Sequence, residues 1–131
     1  MKPDIQSRAD IEKLVNTFYD KVRAHAEIGR FFNETITDWP EHLSKLADFW
    51  EANLFFVSGF RGNPMKTHIE VDAKFNHEID QAHFGNWLEL WMNTLDELFE
   101  GEKANLAKER ARNMAHMIYL RIFNARKLAQ S

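Results

Sequence analysis

The chain has 131 residues, 44% of them hydrophobic and 28% charged, which suits a single globular domain with its own core and excludes a disordered one. A formal net charge of -3 gives no reason to expect nucleic acid or an anionic membrane as partner. The absence of cysteine excludes disulfides, thiolate zinc sites, iron–sulfur clusters and cysteine nucleophiles.

The N-terminus, Met-Lys-Pro-Asp-Ile-Gln-Ser-Arg, is polar and lacks a signal-peptide core. No apolar run approaches the roughly 20 residues needed to span a bilayer, so a soluble cytoplasmic domain is expected. A first helix is predicted from about Ser7 to His25, because Ile11, Leu14, Val15, Phe18 and Val22 recur at three- and four-residue steps. Ser7 and Asp10 are its candidate caps, and Tyr19 falls at the edge of the apolar face. Gly29 breaks the pattern, and a short turn of helix carrying Phe31 and Phe32 follows.

A second long helix starts near Thr37 or Asp38, with Pro40 in its first turn, where a missing N–H costs little. Trp39, Leu43, Leu46, Phe49, Trp50, Asn53, Leu54 and Val57 keep its period. His42 shares a face with Leu46, four residues on. Residues 58–64 (Ser-Gly-Phe-Arg-Gly-Asn-Pro) are the strongest loop signal, and Met65–Ile69 reads as a short helix. Residues 70–80 are polar and read mostly as loop. A fourth helix is predicted from about Gln81 to Phe99, with Asp80 as cap and Phe84, Trp87, Leu88, Trp91, Leu95 and Leu98 as its stripe. Gly101 ends it. The last helix spans about Glu102 to Lys127, with Leu106, Ala111, Met114, Ala115, Ile118 and Ile122 on one face. The short link at Gly101 forces these two helices antiparallel. The fold class is all-α, in a single domain over residues 1–131 with a core at about 8–125 and short polar tails.

Eleven Phe and four Trp are unusual in so small a helical domain. They read either as a bulky core or as the lining of a pocket for a flat apolar ligand. Nucleophilic catalysis is hard to build: no serine sits in a nucleophile elbow, and Gly59 and Gly62 are not followed by the Lys-Ser/Thr of a P-loop. His77 and His83, six apart, fit one helix face poorly as a metal pair and read better as exposed polar residues. His42 lies on the inner half of an amphipathic helix, and His68 follows the Gly-Asn-Pro loop. Each alone reads as a satisfied histidine. Together, on different helices amid dense aromatics, they also fit a cofactor site, and histidine is the side chain that holds iron in oxygen-binding haem proteins.

Phe18-Tyr19, Phe31-Phe32-Asn33, His42, Phe49-Trp50, the stretch from Phe60 to His68, and Trp87 together resemble a truncated haemoglobin. The segment Phe60 to His68 is similar to that family's aromatic-x-Gly-x-Pro-(Met/Leu)-x-x-His pattern. The likeness spans roughly residues 8–125. It points to the third group, since the first two usually carry Gly-Gly pairs and this chain has none. The resemblance implies a two-over-two helical sandwich around haem b (iron protoporphyrin IX), with the first and second long helices as one pair and the fourth and last as the other.

By that resemblance His68 is the proximal iron ligand, and Tyr19, His42 and Trp87 form the distal polar set. Leu46 packs on the distal face and Phe32 stacks on the porphyrin. Met65, Ile69, Phe75, Phe84, Trp91, Met114 and Ile118 are expected in the pocket wall, and Trp50 in the core. Arg61 and Lys66 are offered as partners of the propionates, although solvation explains them equally well as surface cations. Phe60 stands where the family often has Tyr, so no hydroxyl is available there for a propionate.

The implied function is reversible binding of oxygen and other diatomic gases, as in oxygen transport, with nitric oxide, carbon monoxide or cyanide as further ligands. A haem enzyme for nitric oxide dioxygenation or peroxidase-like chemistry, served by an electron-donating reductase, is the alternative. A cofactor-free helical interaction domain is the third reading. Chemically, a neutral imidazole leaves one iron position open, and Tyr19 O–H and Trp87 N–H are donors to a polarised ligand there.

Overall fold

The structure is a computed structural model, and it describes residues 2–56 and 79–130. Five helices lie among these residues: α1 (Arg8–Ala24), α2 (Gly29–Asn33), α3 (Trp39–Phe55), α4 (Gln81–Leu98) and α5 (Glu102–Gln130). No strand occurs among them, and the all-α class expected from the periodicity holds. The expected loop over 58–64, the short helix over Met65–Ile69 and Val57 lie outside the described residues.

Local chemistry sets the boundaries. Ser7 caps α1 by accepting from the Asp10 N–H, and Asp10 reaches back to the Gln6 N–H at 2.8 Å, so both candidate caps act. Asp38 caps α3 through the Glu41 N–H at 3.1 Å. Asp80 and His83 cap α4 reciprocally: the Asp80 carboxylate accepts from the His83 N–H, and His83 Nδ1 accepts from the Asp80 N–H at 3.0 Å. His83 is thus a half-buried capping residue, set edge-on to Phe31 at 4.9 Å, rather than the exposed polar histidine expected. Gly29 starts α2 rather than merely breaking α1. A Cβ there would lie 2.9 Å from the Arg23 carbonyl oxygen, so only glycine lets α2 press on the end of α1.

The helices form two antiparallel pairs. In α1 and α3, Arg8 meets Asp48 at 2.6 Å near one end, and Arg23 lies 4.3 Å from the Trp39 ring centre near the other. In α4 and α5, Lys108 meets Asp96 at 2.5 Å close to the corner, and Phe84 meets Tyr119 at 5.9 Å far from it. The pairs join where α1 packs on α4. Phe18 stands edge-on to Trp91 at 4.8 Å, and Lys21 reaches Thr94 at 3.1 Å and Glu97 at 2.6 Å.

The core follows the apolar stripes. Ile11, Leu14, Val15, Phe18 and Val22 of α1 are fully buried, as are Trp91 and Leu95 of α4. Each such side chain contributes roughly 1.5–3 kcal/mol by leaving water. The inner face of α5 differs from the expected one. It is made of Ala104, Ala107, Ala111, Ala115, Ile118 and Ile122, while Leu106 and Met114 are half-buried at its margin. The Trp91 indole fills the space between α4 and α5 and donates to the Ala107 carbonyl at 3.1 Å, so small residues must face it.

The N-terminal segment, expected as a polar tail, is built in. Ile5 is buried, and the Asp4 carboxylate accepts from the N–H groups of Lys103 at 2.9 Å and Ala104 at 3.0 Å. Gly101, at φ 141°, has no side chain with which to cap α5, and Asp4 does it from the far end of the chain.

Candidate functional site

Tyr19, His42 and Trp87 come from α1, α3 and α4 and meet in one place. The period of α1 puts Phe18 in the centre of the core and Tyr19 one residue round, facing α3. Tyr19 is buried, with its ring 6.2 Å from His42 at 87° and 5.8 Å from Phe32 at 65°. The Trp87 side chain stands beside its phenol. An indole N–H only donates, so it faces the phenol oxygen as a donor. Burial pushes the Tyr19 phenol well above its ordinary pKa, and the nearby Trp87 only partly opposes this.

Phe18 fixes the two polar rings from below, edge-on to Tyr19 at 4.7 Å and to Trp87 at 5.4 Å. Trp39, which the sequence reading placed on the helical period but not in the site, completes the surround. Its ring lies 6.1 Å from Tyr19 and 5.8 Å from His42, under the Arg23 guanidinium. Its position three residues before His42 puts the two on one helix face, which does not by itself separate a core residue from a site residue.

The remaining expected residues divide by place. Phe32, Leu46, Trp87 and Met114 are half-buried and pack on the core from its edge. Phe84 is half-buried near the N-terminal end of α4, against Tyr119 of α5. Ile118 is buried on α5. Trp91 and Trp50 are both core residues, stacked at 4.5 Å. His68, Arg61, Met65, Lys66, Ile69 and Phe75, together with Phe60 and His77, lie outside the described residues. No group of three or more His, Cys, Asp or Glu side chains suited to a metal ion occurs among the described residues. No helix among them is long and apolar enough to cross a membrane.

The helical pairs and the polar cluster between them define a class of protein, the truncated globins. The fold superposes on the crystal structure of a group III truncated hemoglobin from Campylobacter jejuni with a TM-score of 0.82 and 29% identity, over 93% of this chain and 95% of that one. The chain is also 30% identical, over 119 residues, to the group 3 truncated hemoglobin ctb of Campylobacter jejuni, which covers 88% of this chain and 90% of the relative. No family model matches the chain. The chain belongs to the group 3 truncated haemoglobins.

Membership implies a haem cofactor. The described residues fit such a group by the chemistry of their donor set. A phenol, an indole and an imidazole converge from three helices, framed by the apolar surfaces of Phe32, Leu46 and Trp39. A flat apolar ring whose centre carries a polarised small ligand asks for that combination.

Proposed function

We propose that the chain is a haem-binding globin that reversibly takes dioxygen and other diatomic gases, with haem b held through His68. The observation that carries this reading is the meeting of Tyr19, His42 and Trp87, with the Tyr19 phenol buried and Trp87 beside it. Haem, when bound, would supply an iron that takes a diatomic ligand and makes it a better hydrogen-bond acceptor.

The chain's own residues do the rest. Tyr19 gives its O–H to the ligand. With the ligand bound, the Trp87 N–H donates either to the phenol oxygen, which polarises that O–H, or to the ligand itself. Burial raises the phenol pKa, so Tyr19 stays protonated and remains a donor throughout the physiological range. His42 is half-buried beside Tyr19 and Trp39, and its role in this reading is to gate ligand entry. Phe32 and Leu46 exclude water from the donor cluster.

Optical spectra of the ferric, ferrous and oxygenated protein test this. A Soret band is expected in the purified protein and should be lost in His68→Ala. Protein that stays colourless yet folded after haem is supplied refutes the reading in favour of a helical interaction domain.

A further inference from the structure

All four tryptophans of the chain, together with Tyr19, lie in one connected run of rings. Trp39 meets Tyr19 at 6.1 Å, and the Tyr19 phenol stands beside Trp87. Trp87 lies parallel to Trp91 at 6.0 Å with 4° between the planes, and Trp91 stacks on Trp50 at 4.5 Å and 24°. Filling a core does not require this. Phe18 fills space edge-on against Tyr19, Trp87 and Trp91, a common aromatic geometry. The three indoles of the core instead lie nearly parallel, as only Tyr119 and Phe123 also do among the ring pairs described. Where no proton can leave, indole gives up an electron more easily than any other side-chain ring, and a vacancy hops readily between indoles this close.

We propose that Trp87, Trp91 and Trp50 form a relay that carries oxidising equivalents away from the distal pocket into the core beneath α3. This rests on the reading of Trp87 as a residue beside haem. The oxidant is a hydroperoxide. Its O–O bond breaks as it accepts two electrons and two protons, giving water and an alcohol, or two waters from hydrogen peroxide. Haem, when bound, would supply both electrons. Trp87 returns one of them, Trp91 refills Trp87, and Trp50 refills Trp91. The vacancy comes to rest on Trp50. A one-electron reductant of the phenol or ascorbate class fills it, and a second passage restores the site's other electron.

Three features set the direction. The Arg23 guanidinium over the Trp39 face opposes positive charge there, so the branch toward Trp39 is disfavoured. Oxidation of Tyr19 requires release of its proton, which its burial resists. The Trp91 N–H is fixed to the Ala107 carbonyl at 3.1 Å, and an amide oxygen does not take a full proton. Trp91 therefore passes the charge on as a cation instead of trapping it as a neutral radical. Trp50, 2% exposed, is shielded from direct attack by peroxide in solution, so its oxidation reports transfer through the stack.

The experiment treats holoprotein with hydrogen peroxide, maps oxygen addition to each tryptophan by peptide mass spectrometry, and follows the organic radical by freeze-quench electron paramagnetic resonance. Cyanide-ligated protein is the blank. Oxygen addition at Trp50 above the blank is expected, suppressed by ascorbate. In Trp91→Phe it should fall to the blank, with products gathering at Trp87. Equal Trp50 oxidation in wild type and Trp91→Phe, or none above the blank in wild type, overturns the relay.

Trp91→Phe also removes the bond to Ala107, so Trp50→Phe gives a second test: products should then collect at Trp91, and an unchanged Trp91 yield overturns the relay. The stacked indoles are read separately, with or without haem, as an exciton couplet in the far-ultraviolet circular dichroism that Trp91→Phe abolishes. A normal haem spectrum without peroxide-dependent Trp50 product refutes the relay and leaves the haem reading standing. A missing haem spectrum counts against both.

Discussion

A buried hydroxyl has both a donor and an acceptor to satisfy, and beside Tyr19 stand the Trp87 indole and, under the proposed function, the ligand. A hydrogen bond to a partly charged acceptor contributes roughly 1.5–3 kcal/mol. About 1.4 kcal/mol is a factor of ten in an equilibrium constant, so Tyr19→Phe should speed oxygen release roughly ten- to a hundredfold. The lower end is expected, because the change frees the Trp87 N–H to turn toward the ligand. Carbon monoxide, a poorer acceptor, should leave at nearly its original rate. Stopped-flow release of both gases checks this, and one common factor for the two would sink the donor role. His42 has a different part. Its ring is half-buried and touches Tyr19 and Trp39 edge-on, so His42→Leu should change the rate of ligand entrance more than that of release. Flash photolysis measures the first and stopped flow the second; a larger change in release would make His42 a fixed donor instead. The meeting of Tyr19 and Trp87 was legible from the family likeness. Trp39 was not, because a tryptophan at the start of an amphipathic helix has the same pattern whether it packs on the core or flanks a pocket.

At the scale of the element, the helices were legible because their apolar residues recur with one period and their caps are local in sequence. Ser7, Asp38 and Asp80 each cap a helix that begins at the next residue. The cap of α5 was illegible for the opposite reason: its carboxylate is Asp4, and no local pattern connects it to Lys103 and Ala104. Burial raises the Asp4 pKa, but the N–H bonds from Lys103, Ala104 and Ile5, with the Lys103 charge, outweigh it and hold the carboxyl below its ordinary value. A depressed folded pKa means that the ionised group stabilises the fold. That contribution is complete above the unfolded value near 3.8 and is lost as pH falls through the folded value. Asp4→Ala should therefore cost about 1 kcal/mol at neutral pH, the usual loss of a helix cap. Urea unfolding at a series of pH values should show the two proteins converging in acid; a gap independent of pH would mean that Asp4 acts by packing alone. Gly29 offers a steric counterpart. Gly29→Ala forces a Cβ against the Arg23 and Val22 carbonyl oxygens and should cost about 1–3 kcal/mol, the range for overpacked positions, in the same urea measurement.

Across the whole molecule, α1 is the element that holds the rest together. One side of it carries the fully buried Leu14, Val15 and Phe18, and it packs on both α3 and α4. The site sits where those three helices meet, so any group bound there touches both antiparallel pairs. Phe32, Leu46, Trp87 and Met114 are half-buried, from four different helices, and already lean on the core. Under the proposed function haem covers their remaining surface and joins the two pairs through bonds that exist only in the native state. Such a ligand stabilises by mass action, about 4 kcal/mol when its free concentration exceeds the dissociation constant a thousandfold. For a domain of this size that corresponds to a fall in Tm on the order of 10 °C when haem is removed. The loss should concentrate at the site. Amide exchange should quicken most in α2 and the first turns of α3, which meet the core through Phe32 and Leu46, and least in α4 and α5 around Trp91 and Ala107. Calorimetry on holo- and apoprotein, with hydrogen exchange read by mass spectrometry, gives both quantities. An apoprotein that melts with the holoprotein, its exchange unchanged over α2 and α3, would place the bound group outside the cluster of Tyr19, His42 and Trp87.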